Sequence, residues 1–178
     1  MSEADESSNA GPTWKERAAA RVDEAVEALS FPRELLLEVF QHARECYPEE
    51  CCGLLLGSDW EAPVRIVRCT NVQSTRVARG ESSLDARRAF WIDEQELLHA
   101  LREADQRGER LVGIYHSHVD TAAYLSHTDL AGALGADGRP LYPGAAQLVV
   151  SVQESGVLGA ALVAWDESSH GFRGRSVR

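Results

Sequence analysis

The sequence lacks a long apolar run and an apolar segment near its beginning. Its longest apolar run, from Val157 to Trp165, is far shorter than the roughly 20 residues that a membrane-spanning helix needs. The opening stretch, residues 1–12, is polar and acidic, so it does not resemble a secretory signal. We therefore expect a soluble protein located in the cytoplasm.

Positive charge is also scarce, and Lys15 is the only lysine. The 18 basic residues against 28 acidic ones give a net charge of -10 at pH 7. This excess of negative charge repels nucleic acids and anionic membrane surfaces, so we expect neither as a partner. With 44% hydrophobic residues in 178, the chain has enough apolar material for one folded domain.

Cysteines are few, and their spacing does not suggest a structural zinc site. The four cysteines are Cys46, Cys51, Cys52 and Cys69, and none of them forms a Cys-x-x-Cys pair. Without a secretory signal, a disulfide framework is not expected either. We predict buried, reduced thiols.

The chain divides into three parts by composition and apolar spacing. Residues 1–12 are predicted to be a disordered acidic tail, and residues 13–30 an N-terminal helical extension, with the helix over 13–29 and Thr13 as its N-cap. Residues 31–178 interleave helix and strand patterns without a regular βαβ period. This favours one mixed α/β domain.

Within this domain, the spacing of apolar residues predicts the helices and strands, and glycine and proline residues indicate where they end. Helices are predicted over about 30–47, 94–106 and 126–134. Strands are predicted over 52–57, 64–69, 89–92, 111–118, 148–152, 157–164 and 172–177. The strands over 148–152 and 157–164 are predicted to pair as a hairpin. Residues 70–87 and 137–145 are interpreted as loops.

The most informative segment follows the strand predicted over 111–118. Alternate side chains on a strand share a face, so His116 and His118 project together. Ser126 and Asp129 are three residues apart, which places them on one face of a helix, where they also match a capping box. Two imidazoles and a carboxylate, with a fourth position open to water, are typical of a catalytic zinc site.

These residues resemble the signature of the JAMM (MPN-plus) zinc metalloproteases. His116-Ser-His118, then Ser126 and Asp129, match the family's His-x-His, seven residues, Ser-x-x-Asp pattern. The segment Tyr47–Gly57 is similar to the family's glutamate motif and first core strand. The resemblance covers residues 33–165 approximately. It implies the JAMM/MPN fold, which is cytidine-deaminase-like: a single α/β domain with a mixed, curved central β-sheet flanked by helices.

The resemblance implies a role for each of these residues. His116, His118 and Asp129 would be the ligands of one Zn²⁺ per chain, Glu50 the general base, and Ser126 a hydrogen-bond donor to the oxyanion. The similar small prokaryotic members are peptidases or isopeptidases. They cleave after the C-terminal glycine of ubiquitin-like or sulfur-carrier proteins, so the C-terminal tail of such a protein is the expected partner and substrate.

Three features leave alternatives open. Glu49 competes with Glu50 as the base, and Glu50 is preferred because it is the second residue after Pro48, as in the family pattern. The family often has proline where this chain has Val119 and Leu125, which would make the loop between the ligands less rigid. The loop over 137–145 is longer than in minimal members and could overhang the cleft.

Other function classes fit the sequence less well. The string His116–Asp120 begins like a metallo-β-lactamase motif, but Thr121 stands where that motif continues with histidine. Zinc nucleobase deaminases need His-x-Glu and Pro-Cys-x-x-Cys, and neither occurs. The remaining alternative is an inactive scaffold or interaction module with the same fold.

Overall fold

A computed structural model describes residues 18–20, 22, 23 and 25–178, with Ala18 and Ala19 described as backbone only. The strands, in chain order, are β1 Ala18–Ala20, β2 Cys52–Gly57, β3 Pro63–Cys69, β4 Arg110–Val119, β5 Leu125–Ser126, β6 Ala146–Gln153, β7 Gly156–Asp166 and β8 Gly171–Val177. The helices are α1 Arg33–Cys46, α2 Gln73–Ala78, α3 Glu94–Gln106 and α4 His127–Ala133.

Six strands form one mixed sheet in the order β3-β2-β4-β6-β7-β8. The central pair β4 and β6 is parallel, and the other neighbours are antiparallel. The predicted hairpin is confirmed as β6 and β7, and β8 is the last strand at that edge. The prediction of a single α/β domain with a mixed sheet and flanking helices is therefore confirmed.

The two faces of the sheet are covered by different helices. On β2, Leu55 packs in the cluster that includes the buried face of α1. Leu54 and Leu56 belong to the cluster on the other face, with Ala100 and Ala104 of α3. This division follows from the strand period of two, because all three leucines are fully buried on a strand that has no solvent-facing side.

The helix predicted over 13–29 is wrong for its described part. Ala18–Ala20 is a short strand paired antiparallel with β5, and Val22 and Leu29 each form an isolated bridge to β8. The amide of Leu29 donates to the carbonyl of Ser176 at 2.8 Å. Backbone pairing with distant strands has overridden a helical apolar pattern here. The predicted cap Thr13 and the tail 1–12 lie outside the described residues.

Three smaller predictions also need correction. The loop predicted over 70–87 contains α2, and residues 89–92 form only an isolated bridge between Ile92 and Asn71 instead of a strand. Helix α1 begins at Arg33 and not at about residue 30, and its N-cap Pro32 provides no side-chain hydrogen bond. The helix ends at Cys46 with Tyr47 as its C-cap, close to the predicted end, because a residue before proline avoids the helical conformation. Among the described helices, none is long and apolar enough to cross a membrane.

Candidate active site

His116 lies on the central strand β4, opposite Cys52 of β2. Its side chain is completely buried and stacks on the ring of Phe90 with a centroid distance of 4.5 Å. Burial lowers the pKa of the His116 imidazole, with Asp129 acting in the opposite direction, so the neutral ring is favoured. Neither ring nitrogen has a hydrogen-bond partner among the described residues.

His118 is on the same face of β4, and its orientation is fixed by the following loop. Its Nδ1 lies 3.1 Å from the carbonyl oxygen of Ala122, which can only accept, so Nδ1–H is the donor of this hydrogen bond. The edge of the ring also contacts the ring of Tyr124, with centroids 4.8 Å apart. A backbone carbonyl in this position is the usual way of orienting a histidine that binds a metal.

Asp129 reaches the two histidines from the first turn of α4. Its Oδ2 lies 3.4 Å from Nε2 of His116 and 3.2 Å from Nε2 of His118. The same oxygen accepts a hydrogen bond from the amide of Ser126, while the Ser126 hydroxyl accepts from the amide of Asp129. The capping box is therefore formed, and it holds the carboxylate at the histidine pair.

The electrostatics of this cluster favour a bound cation. Although burial alone raises the pKa of Asp129, the adjacent His116 and His118 hold it well below its usual range, so the carboxylate is charged. One ligand atom from each of the three residues lies within 4.8 Å of the others. Neutral imidazole nitrogens and a carboxylate are the donors that Zn²⁺ takes, and the nitrogens of His116 are otherwise unsatisfied. The residues present fit a zinc ion.

Glu50 lies beside this cluster, two residues before the start of β2. The amide of Ser117 donates to the carbonyl of Cys51, and the amide of Cys51 donates to the Ser117 hydroxyl, so the residue after Glu50 is fastened to β4. The side chain is 4% exposed, and Oε2 has no hydrogen-bond partner in the described part of the chain. Burial, then the nearby Asp129 and Asp85, raise the pKa of Glu50 well above its ordinary value. Glu49, the competing residue, is exposed to solvent.

A cavity of about 360 Å³ opens over these side chains. Glu50, His118 and Ser126 line it, so the structure brings the predicted base, one predicted ligand and the predicted hydroxyl to one space. His116 and Asp129 do not line the cavity, and both lie against His118. The loop over 137–145 does not line the cavity.

Sequence reasoning missed several residues that shape this cavity. Arg87 and Arg88 line it, Phe90 stacks on His116, and Asn71 ties the Glu50 backbone to residue 89. No spacing in the sequence signals these contacts, because all of them join segments that are distant along the chain. The only available signal was an Arg-Arg pair in an acidic chain.

The chain has clear relatives among known proteins. The family model described as prokaryotic homologs of the JAB domain matches residues 32–166. A CysO-cysteine peptidase of Mycobacterium tuberculosis is 31% identical over 115 residues, which cover 64% of this chain and 71% of that protein. A desampylase of Pyrococcus furiosus is 34% identical over 83 residues, which cover 47% of this chain and 51% of that protein.

Solved structures show the same architecture. A protein of Salinibacter ruber matches with a TM-score of 0.54 and 27% identity, over 83% of this chain and 88% of its own. A protein of Desulfitobacterium hafniense matches with a TM-score of 0.60 and 22% identity, over 84% and 90%, a likeness of fold alone. The family model covers most of the chain, so the predicted resemblance is confirmed and the chain belongs to the prokaryotic JAB family.

Proposed function

We propose that this protein is a zinc-dependent peptidase that cleaves after the C-terminal glycine of a ubiquitin-like or sulfur-carrier protein. The observation that carries the proposal is the meeting of His116, His118 and Asp129 next to the buried carboxyl of Glu50, beside a cavity. The substrate class is supported by relatives named CysO-cysteine peptidase and desampylase. The same proposal includes one Zn²⁺ per chain and a cytoplasmic location. It also includes the division of the chain into a tail (1–12), an extension (13–30) and the peptidase domain (31–178).

Zinc would be held by Nε2 of each histidine and by the Asp129 carboxylate. When bound, it supplies positive charge that makes a water molecule acidic and polarises a carbonyl group. The hydrogen bond from His118 Nδ1 to the Ala122 carbonyl keeps that ring in the ligating tautomer. The Ser126–Asp129 capping box fixes the direction of the carboxylate.

Glu50 would take a proton from the attacking water and give it to the leaving amine. A carboxyl group suits this work when its pKa is raised towards neutrality, and burial and neighbouring carboxylates do this for Glu50. Hydrolysis forms a bond between the water oxygen and the carbonyl carbon and breaks the amide C–N bond. The proton that Glu50 carries completes the amine product.

Ser126 would stabilise the negative charge that develops on the carbonyl oxygen. Its hydroxyl oxygen accepts from the amide of Asp129 at 3.1 Å, and a hydroxyl that accepts one hydrogen bond still has its own hydrogen to donate. A donor of this kind contributes roughly 3 kcal/mol to transition-state stabilisation in comparable enzymes. The substrate tail would bind in extended form beside an edge strand by main-chain pairing.

The test compares Glu50→Gln with Glu49→Gln in the zinc-loaded protein. We expect Glu50→Gln to retain zinc and to lose at least about a hundredfold in kcat/KM on a peptide carrying a Gly-Gly junction, because the proton carrier is gone. Glu49→Gln is the matched control, because that side chain is exposed, and it should keep full activity. Full activity in Glu50→Gln would refute the role of Glu50. Absence of hydrolysis by the unmodified zinc-loaded protein would favour the inactive scaffold.

A further inference from the structure

Two adjacent arginines, Arg87 and Arg88, line the cavity in a chain with a net charge of -10. Arg87 lies 3.3 Å from a carboxylate oxygen of Asp120, so part of its charge is already balanced. The guanidinium of Arg88 forms no ion pair within the described ranges. The cavity therefore presents a cation with unused donors at the place where substrate would bind.

The segment that carries these arginines is fastened to the backbone of Glu50. The amide of Glu50 donates to the carbonyl of Ala86 at 2.8 Å. The side-chain amide of Asn71 donates to the carbonyls of Glu50 and Ala89, at 3.0 and 3.3 Å. Residues on both sides of the arginine pair are thus held next to Glu50, so the backbone that carries the pair lies beside Glu50.

The position of the arginine pair next to Glu50 indicates which part of the substrate it contacts, namely the leaving amine and the groups attached to it. If Glu50 returns its proton to the leaving amine, that amine lies on the Glu50 side. A single amino acid joined through its α-amine carries its α-carboxylate on the carbon next to that nitrogen. A lysine joined through its side-chain amine carries no carboxylate near the bond that breaks. A guanidinium is the side chain best matched to a carboxylate, because it can donate two parallel hydrogen bonds.

We infer that Arg88, with Arg87 beside it, binds the free α-carboxylate of a single amino acid on the leaving side of the bond. The substrate class is then a carrier-protein tail extended by one residue through an ordinary peptide bond, in preference to an isopeptide with lysine. This inference rests on the proposed function, since it takes Glu50 as the proton carrier.

The first test measures binding without turnover. Zinc-loaded Glu50→Gln protein is titrated calorimetrically with a short peptide ending in Gly-Gly-Ala, either with a free C-terminal carboxylate or as the carboxamide. We expect the carboxylate form to bind about tenfold more tightly, a difference of about 1.4 kcal/mol that suits a solvent-exposed ion pair with hydrogen bonds. Adding Arg88→Gln should remove this difference. Adding Arg102→Gln, an exposed arginine of α3 outside the cavity, should leave it unchanged.

Equal affinity for the two peptides would overturn the inference, and so would an equal loss of both affinities in Arg88→Gln. The second test measures cleavage of the same two peptides and of a lysine isopeptide by the protein with Glu50 intact. We expect cleavage of the carboxylate peptide to be fastest, by about tenfold over the carboxamide. If the two peptides and the isopeptide are all cleaved at the same rate, the inference about Arg88 is wrong while the proposed function stands. No cleavage of any of them contradicts the proposed function, while the calorimetry still decides what Arg88 binds.

Discussion

At the scale of single residues, Glu50 combines burial with a missing partner. Its carboxyl group is almost fully enclosed, and one oxygen lacks a hydrogen bond among the described residues. The family resemblance favoured Glu50 over Glu49 because Glu50 is the second residue after Pro48. Only the fold shows that Glu50 is enclosed and Glu49 exposed. An enclosed carboxyl group of this kind destabilises the folded protein when it is ionised.

Glu50→Gln should therefore stabilise the zinc-free protein at neutral pH. The pKa of Glu50 is raised in the folded state above the ordinary 4.5 that applies when the chain is unfolded. As pH rises above 4.5, the unfolded chain releases this proton before the folded chain does, so the free energy of unfolding falls. Removing the carboxyl should raise the free energy of unfolding by about 1–3 kcal/mol at neutral pH and have little effect near pH 4.

Urea unfolding of both proteins, after zinc has been removed with a chelator, measures this difference. Glu49→Gln is the control and should unfold like the unmodified chain at every pH. A Glu50→Gln protein that is less stable at neutral pH, or whose advantage is the same at pH 4, would contradict the raised pKa.

At the scale of elements, local patterns predicted some segments well and others badly. Strand β4 and helix α4 have strong local signals, namely an apolar run and a capping box, and both are confirmed. The helical pattern over 13–29 failed because Ala18–Ala20 pairs with β5, a partner that lies far along the chain. Leu125, where the family often has proline, is buried in the small cluster that joins these two strands. Pairing at such a distance leaves no local signal.

Asn71 joins three segments around the site and offers a test at this scale. Its side chain donates to the carbonyls of Glu50 and Ala89 and accepts from the amides of Gln73 and Trp91. Asn71→Ala should lower the free energy of unfolding by about 2–4 kcal/mol, since each lost hydrogen bond contributes about 0.5–1.5 kcal/mol. It should also lower kcat while zinc content stays the same, because the Glu50 segment loses its anchor.

Thr70→Ala is the matched control for this change. Thr70 is the neighbouring residue and bonds the exposed Glu96, away from the cavity. We expect a small loss of stability and an unchanged kcat. If Asn71→Ala and Thr70→Ala behave alike in kcat, Asn71 does not position the Glu50 segment.

At the scale of the whole molecule, some residues of the site could be predicted from the sequence and others could not. The three zinc-fitting side chains lie within residues 116–129, so one stretch of sequence was enough to group them. Glu50 lies just before another strand, β2, and the resemblance to a known family was needed to place it. Arg88 reaches the cavity on a segment with no regular structure that is fixed by contacts to other parts of the chain. Its role could not be predicted from local sequence.

Zinc should stabilise the whole fold, because its ligands come together only when β4 and α4 are packed. At a free zinc concentration a hundredfold above Kd, binding to the folded state adds about 2.7 kcal/mol. For a chain of this length, that corresponds to a rise in Tm of about 5–10 °C. Differential scanning calorimetry with and without a chelator measures the shift. An unchanged Tm would mean that the folded protein does not bind zinc at the site.

The most direct measurement is the zinc content of the purified protein and of Asp129→Asn. Asparagine can still accept the capping hydrogen bond from the Ser126 amide, so α4 keeps its N-cap, but the negative charge between the two histidines is lost. We predict one zinc per chain in the unmodified protein and almost none in Asp129→Asn, with unchanged circular dichroism. Equal zinc in both proteins, or none in the unmodified one, would contradict a metal centre formed by His116, His118 and Asp129.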